Sequence, residues 1–215
     1  MKAIPNETVN SAILFEEIKR IKSIADLGLL YCNNEYDRER YLDLQETSFR
    51  LMEKLTGQTI ETIKNFYAPV SEYPTAKVDI RGFALSDDHK ILLVKERSDE
   101  KWSLPGGWAD IGYSPTEIII KEFKEETGLE VTAETLLAVF DKKMHPHPPQ
   151  NFYVYKMVFL CSCSGGEIMP ASDVQDVAYF AIDALPELSE DRILRSQLET
   201  LYRRITDGAD AALFD

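Results

Sequence analysis

The chain of 215 residues is long enough for one medium domain and a smaller one, and its 44% hydrophobic content suffices for a buried core, which excludes an intrinsically disordered protein. The formal net charge of −13 argues against a broad nucleic-acid-binding surface. A phosphate-bearing substrate stays open, because a bound divalent cation inverts the local charge. Charges interrupt the N-terminus too early for a signal peptide, and no apolar run reaches the ~20 residues of a membrane helix, so we expect a cytoplasmic protein without membrane contact.

The first third of the chain predicts a small all-helical domain, residues 1–68. Apolar residues recur at helical spacing in 11–32 and 36–57, and a third, shorter helix is expected in 59–69. Three helices of this length bury little surface by themselves, so the domain is expected to cover another surface, as a dimerisation or lid element. Residues 69–76, which include Pro74, lack periodicity and predict a linker.

From residue 77 to about 207 the pattern predicts a mixed α+β sandwich. Strands are expected within 77–86, 90–97, 102–108, 130–143, 152–163 and 165–182. A closing helix is expected over 189–206, with Ser189 as its N-cap. The three cysteines form neither a disulfide framework nor a zinc site, and we expect Cys161 and Cys163 to be buried on one face of a strand.

The helix between residues 114 and 128 has clear boundaries. Ser114 and Glu117 form a predicted capping box, with Pro115 in the first helical position, and Gly128 ends the helix. On a helical wheel, Ile119, Ile120 and Phe123 form an apolar stripe.

Another face of the same helix carries Glu122, Glu125 and Glu126. Like charges four residues apart each cost a helix about 0.2–0.5 kcal/mol, and anions near the C-terminal end also oppose the helix dipole. A hard divalent cation among the carboxylates would remove both penalties, which predicts a Mg²⁺-type site. The alternative is a solvated, Glu-rich helix face.

The stretch Gly107–Leu129 resembles the signature of Nudix hydrolases, G-x5-E-x7-R-E-U-x-E-E-x-G-U. Gly107 and the run "KEFKEETGL" occupy the matching positions, and "SLPGGW" before them is also similar to that family. Tyr113 replaces the first glutamate of the signature and Lys121 replaces its arginine, which suggests altered bracing of the loop and helix. The whole chain resembles Nudix proteins with an N-terminal helical domain, related to ADP-ribose and CDP-choline pyrophosphatases, on "YDRERY", "KVDIRG", "WSLPGGWADIGYSP" and "HPHPP".

The resemblance implies an α/β/α sandwich with a mixed sheet and a metal-dependent hydrolase, often dimeric, that cleaves a nucleoside diphosphate linked to another moiety with Mg²⁺ or Mn²⁺. It implies Glu122 and Glu126 as principal metal ligands, the carbonyl of Gly107 as another, and Glu125 as a ligand or water-orienting base. It also implies a general base on a later loop, for which Asp173 and Asp176 are preferred over Glu167.

Substrate contacts are expected in three places. The fork of Arg81 could reach a phosphate, the alternative being a surface arginine. The segment 141–155 contains three prolines and could contact a base or ribose; its candidates are Lys142, Lys143, His145, His147 and Tyr153. Trp102, Trp108, Phe83 and Tyr153 could stack on a base, although core packing is the favoured role for at least two of these four.

Two other functions stay open. The protein could hydrolyse RNA ends or capped nucleotides, with Arg192, Arg195, Arg203 and Arg204 as a contact strip, although the acidic charge disfavours this. Alternatively it could be a Nudix-like sensor that binds a nucleotide sugar without cleaving it, but the retained glutamates disfavour that reading. The helical domain lacks the clustered Arg and Lys of a DNA-recognition helix.

Overall fold

The computed structural model describes residues 10–67, 73–170, 174–209 and 211–215. The chain forms two compact units: Met1–Thr75 with Pro149–Phe152, and Ala76–Pro148 with Tyr153–Asp215. The predicted α+β class with a helical N-terminal region is confirmed. None of the helices in the described ranges combines the length and apolar character needed to cross a bilayer.

In residues 10–67 the first unit contains three helices, as the periodicity predicts: α1 (Ser11–Tyr31), α2 (Glu35–Thr56) and α3 (Ile60–Asn65). Side chains of Asn10, Asn34 and Thr59 cap their N-termini, and Gly57 ends α2 in the left-handed conformation. Their shared core is small, which fits the expectation that so few helices bury little surface. It consists of Phe15, Ile18, Phe49, Met52 and Ile63.

Among its described residues, the second unit contains eight strands: β1 (Lys77–Ala84), β2 (Ile91–Glu96), β3 (Trp102–Ser103), β4 (Gly106–Trp108), β5 (Leu129–Asp141), β6 (Val154–Gly166), β7 (Val174–Phe180) and β8 (Leu213–Phe214). One sheet has the order β4-β1-β6-β5-β8 and the other β3-β2-β7. The pairs β1–β6 and β5–β8 are parallel and the others antiparallel, so the sheet is mixed, as expected.

Two further helices, α4 (Pro115–Thr127) and α5 (Arg195–Thr206), cover opposite sides of the sheets. Leu92 of β2 packs in the cluster that contains Phe123 of α4. The next residue, Leu93, packs instead in the cluster that contains Leu198 of α5. Because successive strand residues point to opposite faces, this alternation puts one helix on each side. The arrangement is the predicted α/β/α sandwich.

Two local predictions are wrong. Ser189 does not cap α5; its carbonyl accepts the N–H of Arg192 and Ile193 in a turn, and the helix begins six residues later at Arg195. The hydroxyl of Ser189 donates instead to Asp99 at 2.6 Å. The cysteines also differ from expectation, because Cys161 is buried while Cys163 lies exposed near the end of β6, beyond the core.

Candidate active site

Helix α4 has the predicted ends. The N–H of Ser114 donates to the Glu117 carboxylate at 2.7 Å, and the N–H of Glu117 donates to the Ser114 hydroxyl at 3.3 Å, completing the capping box. Gly128 ends the helix with φ 77°. The apolar stripe is shifted by one position from the prediction: Ile118 and Ile119 are buried with Phe123, whereas Ile120 is half exposed.

The buried carboxylate of Glu126 faces the loop that precedes α4. Its side chain is 5% exposed, and its Oε2 accepts the backbone N–H of Gly106 at 2.8 Å. Burial raises the pKa of Glu126 to about 8; the charges of Glu122 and Glu96 act in the same direction, and Arg81 and the Gly106 N–H act against it. The protein thus holds a carboxylate in a place where extra positive charge would stabilise its ionised form.

Glu122, one helical turn earlier, lies against the backbone of Gly107. A Cβ atom added to Gly107 would lie 2.7 Å from Oε1 of Glu122. Only glycine therefore lets this carboxylate approach the chain so closely. Gly106 and Gly107, which begin β4 directly after the bend at Pro105 and which we call the Gly106–Gly107 turn, bring the backbone close to two of the three predicted glutamates.

We expect Gly107→Ala to displace the Glu122 carboxylate and to lower kcat by about 10- to 100-fold, the usual effect of disturbing groups that orient a site. The free energy of unfolding should change little, because the Glu122 side chain can move. Steady-state hydrolysis assays and urea unfolding would measure the two effects. Gly165→Ala is the matched control, since its added Cβ would make an ordinary contact of 3.5 Å with Glu130. Equal activity of the two variants would contradict the prediction.

Glu125 points elsewhere. It is exposed and pairs with Lys121 at 3.4 Å, and Lys121 also lies 3.5 Å from Asp110. The ammonium of Lys121 is 6.0 Å from the ring centroid of Tyr113. The charge of Glu125 is the main cause that raises the pKa of Lys121. The two residues that depart from the signature therefore meet at the surface, where Lys121 ties the helix to the preceding loop.

The donor set fits a hard divalent cation. Within the described ranges, no three His, Cys, Asp or Glu side chains are grouped as a ready-made ion site. Helix α4 offers two carboxylates, those of Glu122 and Glu126, beside Gly106 and Gly107. Mg²⁺ needs no complete protein cage, because it is usually bound through one or two carboxylates and fills its remaining positions with water and substrate phosphate. A buried carboxylate with a raised pKa is also a group that a cation would stabilise.

A network of buried charged side chains contacts the residues just before Gly106 through Arg81. Arg81 is 7% exposed and donates from Nε to Asp79 at 2.8 Å and from Nη1 to the carbonyl of Leu104 at 3.0 Å. Fully buried Lys156 donates to the other oxygen of Asp79. Glu96 lies 3.8 Å from Arg81 and accepts the hydroxyl of Ser103 at 2.8 Å. Arg81, expected at the surface or on a substrate phosphate, is instead enclosed and paired.

Residues 141–148 of the predicted substrate segment belong to the second unit and contact other residues of that unit. His145 lies 2.9 Å from Asp215, and Nδ1 of His147 lies 2.6 Å from the carbonyl of Glu190. Lys142 is buried and donates to the carbonyl of Asp191. Burial lowers the pKa of Lys142 to about 8 and that of His147 to about 4. Lys143 remains exposed.

The predicted aromatic contacts have different environments. Phe83 is fully buried in the core beside α5, so it has no face for a base. Trp102 is partly buried and packs edge-on against Phe180 with centroids 4.6 Å apart. Trp108 is half exposed with the ammonium of Lys77 5.4 Å from its ring. Tyr153 is partly buried, and its carbonyl accepts the N–H of Lys77.

The two candidate general bases that the structure describes lie in different segments of the chain. Asp176 is exposed on β7, opposite Lys95 of β2. Glu167 is exposed in the loop whose Met169 N–H donates to the carbonyl of Thr127 at the end of α4. Asp173 lies outside the described residues.

Sequence reasoning missed Asp79, Glu96 and Lys156. The available signal was their position: each is a charged residue in a strand with several apolar residues, where a buried charge needs a partner. The partners come from different strands, so the sequence alone does not pair them.

Comparisons with known proteins agree with this architecture. A NUDIX domain model matches residues 76–201, and a UDP-X-like N-terminal oligomerisation domain model matches residues 14–67. A Bacillus subtilis (strain 168) protein named "Putative ADP-ribose pyrophosphatase YjhB" is 40% identical over 200 residues, covering 93% of this chain and 96% of the relative.

Two solved structures are similar as well. A crystal structure titled as a UDP-X diphosphatase has a TM-score of 0.62 and 35% identity, covering 96% of this chain and 100% of the other. A crystal structure titled as an ADP-ribose pyrophosphatase of Streptococcus suis 89-1591 has a TM-score of 0.59 and 37% identity, covering 66% of this chain and 100% of the other. With the signature on α4 and the turn that it faces, these matches establish that the chain belongs to the Nudix family and is a Nudix hydrolase.

Proposed function

We propose that the protein is a metal-dependent pyrophosphohydrolase that cleaves the diphosphate of a nucleoside diphosphate conjugate. The products would be a nucleoside monophosphate and the phosphorylated second moiety. The observation that carries the proposal is the convergence of Glu122 and Glu126 on the Gly106–Gly107 turn. Relatives named for ADP-ribose and UDP-X cleavage support this substrate class; CDP-choline remains a candidate of the same chemistry.

In this proposal Glu122, Glu126 and the carbonyl of Gly107 hold Mg²⁺ or Mn²⁺, and Glu125 joins them or orients water after leaving Lys121. The metal would neutralise charge on the phosphate oxygens and lower the pKa of a water. The chain itself supplies orientation: the Gly106 N–H fixes one oxygen of Glu126, leaving the other for a ligand. Burial of Glu126 keeps bulk water away from that oxygen.

The remaining predicted residues are proposed in supporting roles. Asp173 and Asp176 are the candidates for a general base that takes a proton from the attacking water. On the substrate loop, Lys143 is exposed and suited to a phosphate, while His145, His147 and Tyr153 are proposed to shape the loop or contact the nucleoside. Trp102 is proposed as a base contact through its accessible part. Arg81 and Phe83 are not retained as substrate contacts, because both are buried.

The RNA-end alternative gains no support from the predicted arginine strip, of which Arg192 lies before α5. Arg192 lies 2.9 Å from Glu96, Arg195 is 3.9 Å from Glu199, and Arg204 donates to the carbonyl of Ala211. These arginines are engaged within the protein, as expected for a solvated helix face. A small-molecule conjugate is therefore the favoured substrate.

The test is a product screen by anion-exchange chromatography. The protein would be incubated with ADP-ribose, a UDP-sugar, CDP-choline, NADH and a short triphosphorylated RNA, each with Mg²⁺, Mn²⁺ or EDTA. Release of AMP, UMP or CMP with a metal and none with EDTA would support the proposal and name the substrate. Cleavage of the RNA alone, or binding of a conjugate without products, would contradict it.

We also propose that residues 1–68 mediate a homodimer. Ile13, Leu14, Ile21 and Ile24 are all exposed on α1 and span a strip about 100° wide. This unit matches the oligomerisation domain model.

The protein should therefore have a mass of about twice 24.5 kDa in light scattering after gel filtration. The substitutions Ile13→Glu and Ile24→Glu should each halve that mass, because each would bury an unpaired carboxylate in the interface. Gln58→Glu, in the exposed loop after α2, is the control that should stay dimeric. A monomeric wild-type protein, or a dimer that survives both substitutions, would exclude this interface.

A further inference from the structure

Arg81 and its neighbour Gly82 on β1 contact residues 104–106, which together with Gly107 we call the metal-site turn, through two hydrogen bonds and one ladder position. Its guanidinium donates to the carbonyl of Leu104 at 3.0 Å. The next backbone N–H along β1, from Gly82, donates to the carbonyl of Pro105 at 2.9 Å. Arg81 itself stands opposite Gly106 in the β1–β4 ladder. Leu104, Pro105 and Gly106, the three residues before Gly107, are thus held by Arg81 and Gly82 of β1.

The same three residues set the positions of the glutamates. Gly106 presents its N–H to Glu126 at 2.8 Å, and Gly107 lies against Glu122. A movement of Leu104 would therefore shift both the donor that orients Glu126 and the carbonyl proposed to bind metal. Leu104, which the guanidinium contacts, is two residues from Gly106 and three from Gly107, so Arg81 does not need to touch the substrate to affect these groups.

The guanidinium is in turn fixed by carboxylates. Asp79 accepts from Nε at 2.8 Å while its other oxygen accepts from Lys156, and Glu96 lies 3.8 Å from Nη1. Donation to Asp79 and to Leu104 at the same time uses the planar, forked geometry of arginine. A lysine ammonium is a compact charge and cannot reproduce both directions.

From these contacts we infer that Arg81 is a positioning residue, which holds the Leu104–Gly107 turn so that the Glu122 and Glu126 carboxylates and the Gly107 carbonyl are arranged for a divalent cation. The inference rests on the proposed function for its metal, but the geometry that it concerns exists in the protein alone. It assigns Arg81 to the metal site instead of to substrate phosphate.

The test compares wild-type protein with Arg81→Lys. Without metal, the Gly106 amide should exchange its hydrogen faster in the variant, as followed by NMR. The affinity for Mn²⁺, measured by calorimetry without substrate, should fall about 10- to 100-fold. At saturating Mn²⁺, kcat should fall while KM stays within about twofold, because uniform substrate binding is untouched.

Arg192→Lys is the matched control, since Arg192 pairs with Glu96 but has no hydrogen bond to the turn among the described contacts. It should leave Gly106 exchange and Mn²⁺ affinity unchanged. If Arg81→Lys does not fold, Asp79→Glu provides the second variant, because a longer carboxylate displaces the guanidinium while keeping the charge. It should change the same three quantities in the same direction.

If Arg81→Lys raised KM and left the Mn²⁺ affinity unchanged, the inference would be wrong and Arg81 would instead be a substrate-binding residue. Unchanged Gly106 exchange, affinity and kcat would overturn it as well. A wild-type protein that binds no Mn²⁺ and releases no nucleotide would instead refute the proposed function, and Gly106 exchange would still report whether Arg81 holds the turn.

Discussion

Glu126→Gln is expected to lower kcat by at least about 100-fold, the scale at which a preorganised charge contributes to catalysis. Glutamine has the shape of glutamate and can still accept the Gly106 N–H, which is 2.8 Å from Oε2 in the structure. It lacks the negative charge that a cation requires. The loss should appear as reduced nucleotide release at saturating Mn²⁺ and as weaker Mn²⁺ binding in calorimetry.

The same substitution should not lower stability. Burial raises the pKa of the Glu126 carboxyl to about 8, so the metal-free protein gains nothing from a charge at this position. We expect the melting temperature of Glu126→Gln without metal to equal or exceed that of the wild type, a trade-off between stability and activity.

Glu130→Gln is the control for both measurements. Glu130 is an exposed residue that pairs with Lys124 at 3.1 Å, and its substitution should leave turnover unchanged. If Glu126→Gln retained at least half of the wild-type kcat, Glu126 would not be a metal ligand.

The second large effect concerns Asp79, the carboxylate shared by Arg81 and Lys156. Asp79→Asn should lower the free energy of unfolding by about 3–5 kcal/mol, because it leaves two buried cations without their common partner. Urea unfolding followed by circular dichroism would measure it. Asp88→Asn is the control: Asp88 pairs with Lys90 at the surface, at 2.6 Å, and its substitution should not move the urea midpoint. If Asp79→Asn had the same urea midpoint as the wild-type protein, the buried cations would not depend on Asp79.

Asp79 also gives stability a pH dependence at the acid end. Burial alone would raise the pKa of Asp79, but the charges of Arg81 and Lys156 outweigh burial and lower it to about 2, from 3.8. A carboxyl whose pKa is lower in the folded state stabilises the fold above the unfolded-state pKa. This contribution should be full above about pH 4 and lost as the pH falls toward 2. The Asp79→Asn variant should lack that part of the acid transition.

The sequence predicts the helices of this protein well because their boundaries have local chemical causes. The capping box of Ser114 and Glu117 and the left-handed Gly128 act within a few residues of the helix that they bound. The predicted start of α5 was wrong because Ser189, a residue type that often caps helices, donates its hydroxyl to Asp99, ninety residues earlier in the chain. A residue type shows a capacity to cap, and tertiary contacts decide whether that capacity is used.

In the candidate site, too, the features with local causes could be predicted and those that depend on tertiary contacts could not. The three glutamates could be assigned to one helix face from spacing alone, but spacing could not show that Glu126 is buried while Glu125 is exposed and paired with Lys121. That difference depends on the Gly106–Gly107 turn, which β1 places beside α4. The enclosure of Arg81 was not predicted for a related reason: Leu104 and Glu96, which it meets, lie outside β1, and no local pattern predicts that meeting.

The parallel pairing of β1 with β6 has a consequence for how the chain acquires its structure. Asp79 and Lys156 are 77 positions apart, so β1 stays without its parallel neighbour β6 until most of the chain has been synthesised. Closing such a long loop costs entropy before the contacts form, and pairings of this kind slow folding. The α1–α2 hairpin, by contrast, joins adjacent segments. We therefore expect the metal-site turn to become ordered late during synthesis, and a nascent chain that ends before β6 to expose the apolar strands β1 and β2 to chaperones.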